Sequence, residues 1–394
     1  MAITILQNLV DQSDPLAGES VVDMRDAITM LEADNTQFTQ ALMRIRKESA
    51  HNPKVEWMED QLFPRKSALA ASATSAETTL VVTTSEGYYF RVGDVVREAS
   101  TGEALEVTAV AASSITVTRE LGSVTAATAG LPLGAELWIV GNASVEGATM
   151  GTRKITQRTG AYNYCQIFRH PYGFSETLIA TKQYGGGALM KERKKKSVEH
   201  LRAIEDTFFR GARDIQTSQG ANSTEPQRFC GGAYEYISTN VQSAAGTFDK
   251  AELQDYLREG LLYADNPALF VSPIVSQVLS EFLQDNWVRT GADHKKWGVS
   301  VGGVISGAYA GGPEVPVFVK RDWGEFSTGT SNNFGSAAFI IDMDAVDARP
   351  LRSTRLVRGI QANDADEYSE EQKTEISLEV RSEKKHSLIE DVTG

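Results

Sequence analysis

The pattern of apolar and polar positions changes several times along the chain, and each change predicts a different kind of structure. In residues 1–55 the apolar side chains follow helical spacing only loosely, which predicts an extended arm with one helix that does not fold alone. Residues 74–141 instead contain short β-type runs at close spacing. These runs are Thr79 to Val82, Val92 to Arg97, Ala104 to Val110, Ile115 to Thr118 and Leu137 to Val140. Five such strands predict a small β-barrel inserted in the chain.

Residues 151–187, which follow this module, are polar and aromatic. Here Tyr162, Tyr164, Gln166 and Phe168 follow a period of two, which is typical of a ribbon with one contacting face. Such a ribbon cannot form a core by itself. We therefore expect it to lie over a neighbouring subunit.

The second half of the chain combines helices and strands, so the fold class is predicted to be α+β. The longest helix is expected over residues 189–213, with an apolar stripe that includes Ile204 and Phe208. Asp249 and Glu252 have the spacing of a capping box and begin a second helix, and Ser272 before Pro273 begins a third. Strands are predicted over residues 268–271, 298–305, 315–319, 337–341 and 376–380.

Length and composition narrow the possible functions. A chain of 394 residues is expected to form two or three structural units. The 39 Lys and Arg residues stand against 52 Asp and Glu residues, and a net charge of −13 disfavours dedicated nucleic-acid binding. The net charge does not exclude a protein that groups its basic residues on one face.

Cys165 and Cys230 lack the spacing of a metal or redox motif. Neither a secretion signal nor a membrane span is apparent in the sequence, so cytoplasmic residence is expected.

Residue types that could carry chemistry occur in this sequence without the required spacing. The basic run Lys191 to Lys196 could contact DNA, but a solvated helix face is the commoner use of such a run. Asp342, Asp344, Asp364, Asp366 and Glu367 lack the glycine and terminal glutamate of a calcium loop. The histidines, which form no zinc motif, are His51, His170, His200, His294 and His386. We therefore expect no catalytic, cofactor-binding or metal site, and no enzyme activity.

Aromatic residues are expected in cores and interfaces rather than in a ligand platform. The tryptophans are dispersed, at Trp57, Trp138, Trp287, Trp297 and Trp323. Tyr88, Tyr89 and Phe90 in the β module could form a binding face, although the core of a small barrel is the commoner use. Glycine pairs at 302–303 and 311–312 suggest turns and no nucleotide motif.

The order of these segments resembles the major capsid proteins of tailed bacteriophages with the Hong Kong 97 fold. The inserted module points to the branch whose extended loop carries a β-barrel. The residues that carry the resemblance are Val92 to Arg97, Gly102–Glu103, Leu137 to Ala143 with Glu146–Gly147, the long helix ending in Phe208 to Gly211, Asn266 to Pro273, and Ile340 to Asp342 with Arg349 to Arg352.

The resemblance implies a domain organisation. It comprises an N-terminal arm (1–55), an extended-loop ribbon (56–73 and 142–187), the β-barrel (74–141), a peripheral domain (188–248 and 335–394) with its spine helix (189–213), and an axial domain (249–334). It also implies a function, that of a shell subunit assembling as hexamers and pentamers around double-stranded DNA. The alternatives are an encapsulin-type cargo compartment, another virion protein such as a tail or decoration component, and, ranked last, a β-barrel-bearing hydrolase.

The resemblance also implies partners. These are further copies of the chain, a portal, a decoration protein and packaged DNA, with assembly in the bacterial cytoplasm and residence in the virion. Some relatives link subunits covalently through a loop lysine, but Lys66 and Lys154 do not identify such a link, so non-covalent assembly is expected. The ribbon begins after only 55 residues, which suggests a separate scaffolding protein. A chain without residues 1–50 is expected to be soluble and to form no closed shells.

Overall fold

The computed structural model describes residues 36–45, 48–122, 130–149, 151, 153–181, 187–219, 225–246, 248–284, 304–305, 315–325 and 334–392. The chain divides into two compact units. The first contains Met1–Trp57 and Ala161–Gly394, and the second contains Met58–Gly160. Each unit is described by itself.

The helices and strands are named here in chain order. They are α1 Gln37–Ile45, β1 Lys54–Glu59, β2 Lys66–Ala68, β3 Thr79–Val81, β4 Asp94–Glu98, β5 Ala104–Val110, β6 Ser114–Thr118, β7 Glu136–Asn142, β8 Thr159–Tyr164, β9 Gln166–Ser175, α2 Glu176–Ala180, α3 Ala188–Arg210, β10 Asp214–Gln219, β11 Glu225–Phe229, α4 Ala233–Tyr236, β12 Val241–Gly246, α5 Lys250–Gly260, β13 Pro267–Val271, α6 Pro273–Gln284, β14 Val304–Ile305, β15 Val315–Val319, β16 Ala338–Asp342, β17 Val346–Arg358, β18 Glu367–Val380 and β19 Ser387–Val392.

The second unit contains a six-stranded antiparallel sheet in the order β2-β7-β4-β5-β6-β3. All five strands predicted in this region are present. Strand β4 starts at Asp94, two residues later than predicted, because Gly93 adopts a left-handed conformation with φ 85°. Inward-facing side chains such as Phe90 and Leu105 form a core of their own. An isolated antiparallel bridge between Leu69 and Val82 lies next to the two outer strands of the sheet.

The first unit contains a six-stranded mixed sheet in the order β12-β19-β16-β13-β15-β14. Every residue of β13 and β16 is buried, so successive side chains enter different cores on the two faces. Phe270 and Phe339 belong to one core, and Leu269 and Ile340 belong to the other. This sheet combines β13, β14 and β15, from the predicted axial segment, with β12, β16 and β19, from the predicted peripheral segment.

A second sheet of the first unit has the order β17-β18-β9, with the longest described helix, α3, packed against it. Helix α3 ends at Arg210, three residues before its predicted end. A Cβ atom on Gly211 would lie 2.2 Å from the carbonyl oxygen of Cys230, so this position requires glycine and the chain turns there. Ile204, Phe208 and Phe209 anchor the helix in the core.

The two predicted helix starts in the middle of the chain are confirmed. The Asp249 side chain accepts the Glu252 N–H at 2.8 Å, and the Glu252 side chain accepts the Asp249 N–H at 3.1 Å, which completes the capping box of α5. Helix α6 begins at Pro273, and the Ser272 hydroxyl accepts the Val275 N–H at 3.3 Å. Most of the predicted strand over residues 298–305 lies outside the described residues.

The structure differs from the sequence analysis at the ribbon and the arm. Strand β9, which was predicted as part of a ribbon over a neighbour, pairs with β18 of its own chain along its whole length, and Phe168 is buried in the chain's own core. Phe38 and Leu42 of α1 are buried in the same core. The chain without residues 1–50 would therefore lose core side chains, and its expected solubility no longer follows.

Substituting Phe38 tests whether α1 is part of the folded unit. The Phe38 ring lies 4.7 Å from that of Phe209 and 5.1 Å from that of Phe270, between their centroids. Phe38→Ala should cost about 3–5 kcal/mol of unfolding free energy, measured by chemical denaturation, because it leaves a cavity in a packed core. Leu262→Ala, at a side chain 65% exposed, is the matched control. An equal, small effect of both substitutions would mean that α1 does not contribute to this core.

Candidate functional site

The described residues hold no metal site and no membrane helix. No group of three or more His, Cys, Asp or Glu side chains in this part of the chain is placed to bind a metal ion. None of the described helices combines the length and the apolar character needed to cross a bilayer. The largest concentration of buried charge lies instead on β18 and its neighbours α3, β9 and β17, and this is the candidate site.

Strand β18 directs alternate side chains to its two faces. Glu370, Gln372 and Thr374 point toward α3, and the apolar residues that continue this face enter the core. Their partners on the helix are Arg193, Ser197 and His200 in the same order. Two strand residues advance about 6.8 Å and one helical turn about 5.4 Å, so the contacts stay in register along the helix.

Glu370 is the polar centre of this contact. Its carboxylate is fully buried and accepts hydrogen bonds from Arg193 Nε at 2.7 Å, Tyr172 Oη at 2.7 Å and Tyr368 Oη at 2.8 Å. The hydrogen bond from Arg193, together with those from the two tyrosines, lowers the pKa of Glu370 to about 2 against the opposing effect of burial. Burial and the same carboxylate raise the pKa of Tyr172 to about 12. One anion thus joins α3, β9 and β18.

The opposite face of β18 carries three further buried glutamates. Glu371 pairs with Arg169 of β9 at 2.7 Å, while Glu375 and Glu379 pair with arginines of β17. The arginine side chains are 60%, 39% and 18% exposed, and the glutamates are 6% exposed or less. On this face the guanidinium groups therefore lie over buried glutamates that neutralise their charge. Such an arrangement is suited to contact with another surface.

A separate buried carboxylate of α3 contacts both α1 and a buried lysine. Glu205 of α3 accepts the N–H groups of Phe38 and Thr39 at 3.3 and 3.1 Å and also pairs with Lys320. A carboxylate is favoured at this place because the first N–H groups of a helix have no intrahelical partners. Glu205 and Lys320 are both 1% exposed, so the arm helix is held by a charge contact inside the unit.

The predicted basic run is divided between two environments. Arg193 turns inward to Glu370, and Lys196 pairs with Glu199 at 2.5 Å. Lys194 and Lys195 are exposed. The run is therefore partly structural and partly a solvated helix face.

The predicted carboxylate and histidine candidates form no common cluster of three or more in the described residues, although two pairs of them are in contact. Asp342 is fully buried, and its carboxylate accepts hydrogen bonds from the backbone N–H groups of Asp265, Asn266 and Asp344. These hydrogen bonds stabilise the local backbone. The other acidic candidates, Asp364, Asp366 and Glu367, lie at the turn between β17 and β18. His51 is exposed, His386 is buried beside Asp342, His170 contacts His200, and His294 lies outside the described residues.

The remaining aromatic, cysteine and lysine candidates have structural roles in the described parts of the chain. Trp57, Trp323 and Phe90 are buried, whereas Tyr88 and Trp138 are more than 40% exposed. Cys165 and Cys230 are unbridged thiols, and burial raises their pKa to about 12 and about 11. Lys66 pairs with Glu136, and Lys154 donates to backbone carbonyls of Tyr88 and Phe90. Trp287, Trp297 and the glycine pairs at 302–303 and 311–312 lie outside the described residues.

Sequence reasoning missed the buried charges of β18, although a signal was present. Residues 370–379 combine four glutamates with apolar residues, and residues 349–358 contain four arginines. Opposite charges on two adjacent strand segments indicate cross-strand pairing.

Comparison of the fold with solved structures defines the class of protein. The capsid asymmetric unit of cyanophage A-1(L) aligns with 98% of this chain and 99% of its own at a TM-score of 0.51 and 11% identity. A structure of Microbacterium phage Oxtober96 aligns with 95% of this chain and 96% of its own at a TM-score of 0.48 and 11% identity. The cyanophage match shows that the α+β fold resembles that of a phage capsid subunit.

The family follows from the sequence itself. The model of the SU10 major capsid protein matches residues 4–393, and the chain belongs to this family. A major capsid protein of Pseudomonas phage PaMx41 is 25% identical over 176 residues, which cover 44% of this chain. The aligned region spans 41% of that relative, less than half of its length.

Removing the charge of Glu370 tests the polar contact between α3 and the sheet. Glu370→Gln should cost about 2–3 kcal/mol of unfolding free energy, because it leaves Arg193 opposite a neutral group. Glu367→Gln, at an exposed position of the same strand, is the control.

The pH dependence of stability gives a second prediction. The pKa of Glu370 lies below its ordinary value of 4.5, so the stabilising effect of the ionised carboxylate is complete above that pH and is lost as the pH falls toward about 2.

Chemical denaturation at several pH values measures both effects. The difference between the wild-type chain and Glu370→Gln should shrink as the solution becomes more acidic than pH 4.5. A difference that stays constant down to about pH 2 would contradict the role assigned to this carboxylate.

Proposed function

We propose that this chain is the major capsid subunit of a tailed bacteriophage. It self-assembles as hexamers and pentamers into an icosahedral shell around double-stranded DNA. The observation that carries the proposal is the match of residues 4–393 to a major capsid protein family. The fold shared with a cyanophage capsid over nearly both chains supports it. The role is structural and needs no enzyme activity.

The fold is proposed to be of the Hong Kong 97 type, with the domains implied by the resemblance. Helix α3 is the spine of the peripheral domain (188–248 and 335–394). The axial domain comprises residues 249–334. The arm covers residues 1–55. The extended-loop ribbon covers residues 56–73 and 142–187, and its strand β9 pairs with β18 of the peripheral domain.

The inserted module, residues 74–141, is proposed to be a closed barrel. Support comes from its two outer strands, β2 and β3, whose continuations meet at the bridge between Leu69 and Val82. The Ala70 N–H also donates to the Val81 carbonyl at 2.9 Å. These contacts satisfy backbone groups that an open sheet would leave at its edges.

Assembly is proposed to depend on many modest, non-covalent contacts. Lys66 and Lys154 are both engaged within the second unit, by Glu136 and by backbone carbonyls respectively, which disfavours either lysine as a cross-linking residue. The same unit exposes large apolar side chains, including Leu62 and Ile155, each 92% exposed, and Val145. Burying apolar surface contributes about 25 cal/mol per Å², so small contacts add up when repeated around a shell.

Other partners follow from this role. A separate scaffolding protein would assist assembly in the host bacterial cytoplasm, a portal would occupy one vertex, and a decoration protein is an optional outer partner. Lys194 and Lys195, exposed on α3, are the proposed source of non-specific contact with packaged DNA. Local positive charge would offset the repulsion between DNA and a chain of net charge −13.

Electron microscopy of the purified full-length chain tests the proposed function. Closed icosahedral shells with hexameric and pentameric capsomers are expected. Small shells without a portal that take up a cargo peptide would instead indicate an encapsulin. Tubes, rings or single subunits would indicate another virion protein, and monomeric hydrolysis sensitive to one carboxylate would indicate the hydrolase.

Replacing residues 74–141 by a short Gly/Ser linker tests whether the module clamps neighbouring capsomers. The replacement should leave shells that form but break at lower temperature, because contacts between capsomers are lost. Heating followed by electron microscopy and light scattering measures this. Shells with unchanged heat tolerance would leave display of a binding face as the role of the module.

A further inference from the structure

Two histidines meet where α3 packs on the three-stranded sheet. The Nδ1 atoms of His170, on β9, and His200, on α3, are 2.8 Å apart, and their rings are perpendicular. His200 is fully buried, and its Nε2 lies 2.7 Å from the Thr374 hydroxyl of β18. That hydroxyl donates to Thr354 of β17 at 2.8 Å. The contact thus continues as a chain of hydrogen bonds through all three strands.

The contact between the two rings depends on their protonation. A nitrogen–nitrogen distance of 2.8 Å requires one N–H donor and one bare nitrogen acceptor. A neutral imidazole provides one of each, whereas a protonated imidazole provides only donors. If both rings carry a proton on Nδ1, two N–H groups face each other and the hydrogen bond becomes a repulsion.

The charged groups around the two histidines do not stabilise a second proton on the pair. Lys196 and Glu199 of α3 act on His170 in opposite directions, and burial lowers the pKa of His170. From the sheet the neighbours on this face are Gln372 and Thr374, while Arg169 is held on the opposite face by Glu371. Burial, followed by the charge of His170, lowers the pKa of His200 to about 4.

We propose that the His170–His200 contact is an acid-sensitive link, which joins helix α3 to the sheet at neutral pH and contributes less to stability as the solution becomes acidic. Unfolded histidine titrates near pH 6.5, so between about pH 6.5 and about pH 4 the unfolded chain binds more protons than the folded chain. Stability therefore falls as the pH falls through this window. Each such histidine changes the unfolding equilibrium constant by up to about tenfold per pH unit.

His170→Gln is the test variant, and His51→Gln, at an exposed histidine, is the control. A glutamine side chain donates or accepts without titrating, so the variant should lose stability less steeply than the control between about pH 7 and about pH 5. The ratio of the two slopes is obtained from urea denaturation of unassembled full-length subunits. The result is therefore independent of whether the chain forms shells.

Histidine NMR titration of the intact chain gives a second readout. In the wild-type chain His200 should titrate well below about pH 6.5, the ordinary value for histidine. In His170→Gln it should titrate at higher pH than in the wild type, because a carboxamide oxygen can accept from the protonated ring. Titration of His170 and His200 near pH 6.5, as in an unfolded chain, would overturn the proposal. An unchanged His200 titration in the variant would do the same. If the variant does not fold, the wild-type titration alone decides.

Discussion

The structure depends on the compensation of carboxylates that one strand keeps out of water. Glu370, Glu371, Glu375 and Glu379 of β18 are all buried. An ionised carboxylate in such a place is tolerated only with an opposite charge or several donors around it. The guanidinium groups that meet this need come from α3, β9 and β17, and β9 adds the hydroxyl of Tyr172. This requirement acts together with the apolar core to place the helix on the sheet and to pair the three strands.

Local features of the sequence predicted local features of the fold. The capping box at Asp249 and the start of α6 at Pro273 involve neighbours along the chain, and both predictions are confirmed. The strands of the inserted module were found for the same reason, since short apolar runs and turns mark them. The pairing of β9 with β18 was missed because its partners are about 200 residues apart and polar. The end of α3 at Gly211 depends on the carbonyl of Cys230, which no local pattern reveals.

The candidate site was predictable only in part. The absence of a metal or catalytic centre, which the spacing of histidines and carboxylates suggested, remains a prediction. The ladder of glutamates and arginines could have been predicted from the charges that alternate with apolar residues in β18. The histidine contact could not, because His170 and His200 approach each other only after the strand and the helix have packed.

The sheet between the two cores of the first unit also has a mechanical consequence. Since β13 and β16 place alternate side chains in both cores, no plane of weak contact separates them. Loss of packing on one face removes the support for the other, so the two cores gain and lose order together. Under mechanical load the first unit would therefore deform as one cooperative body.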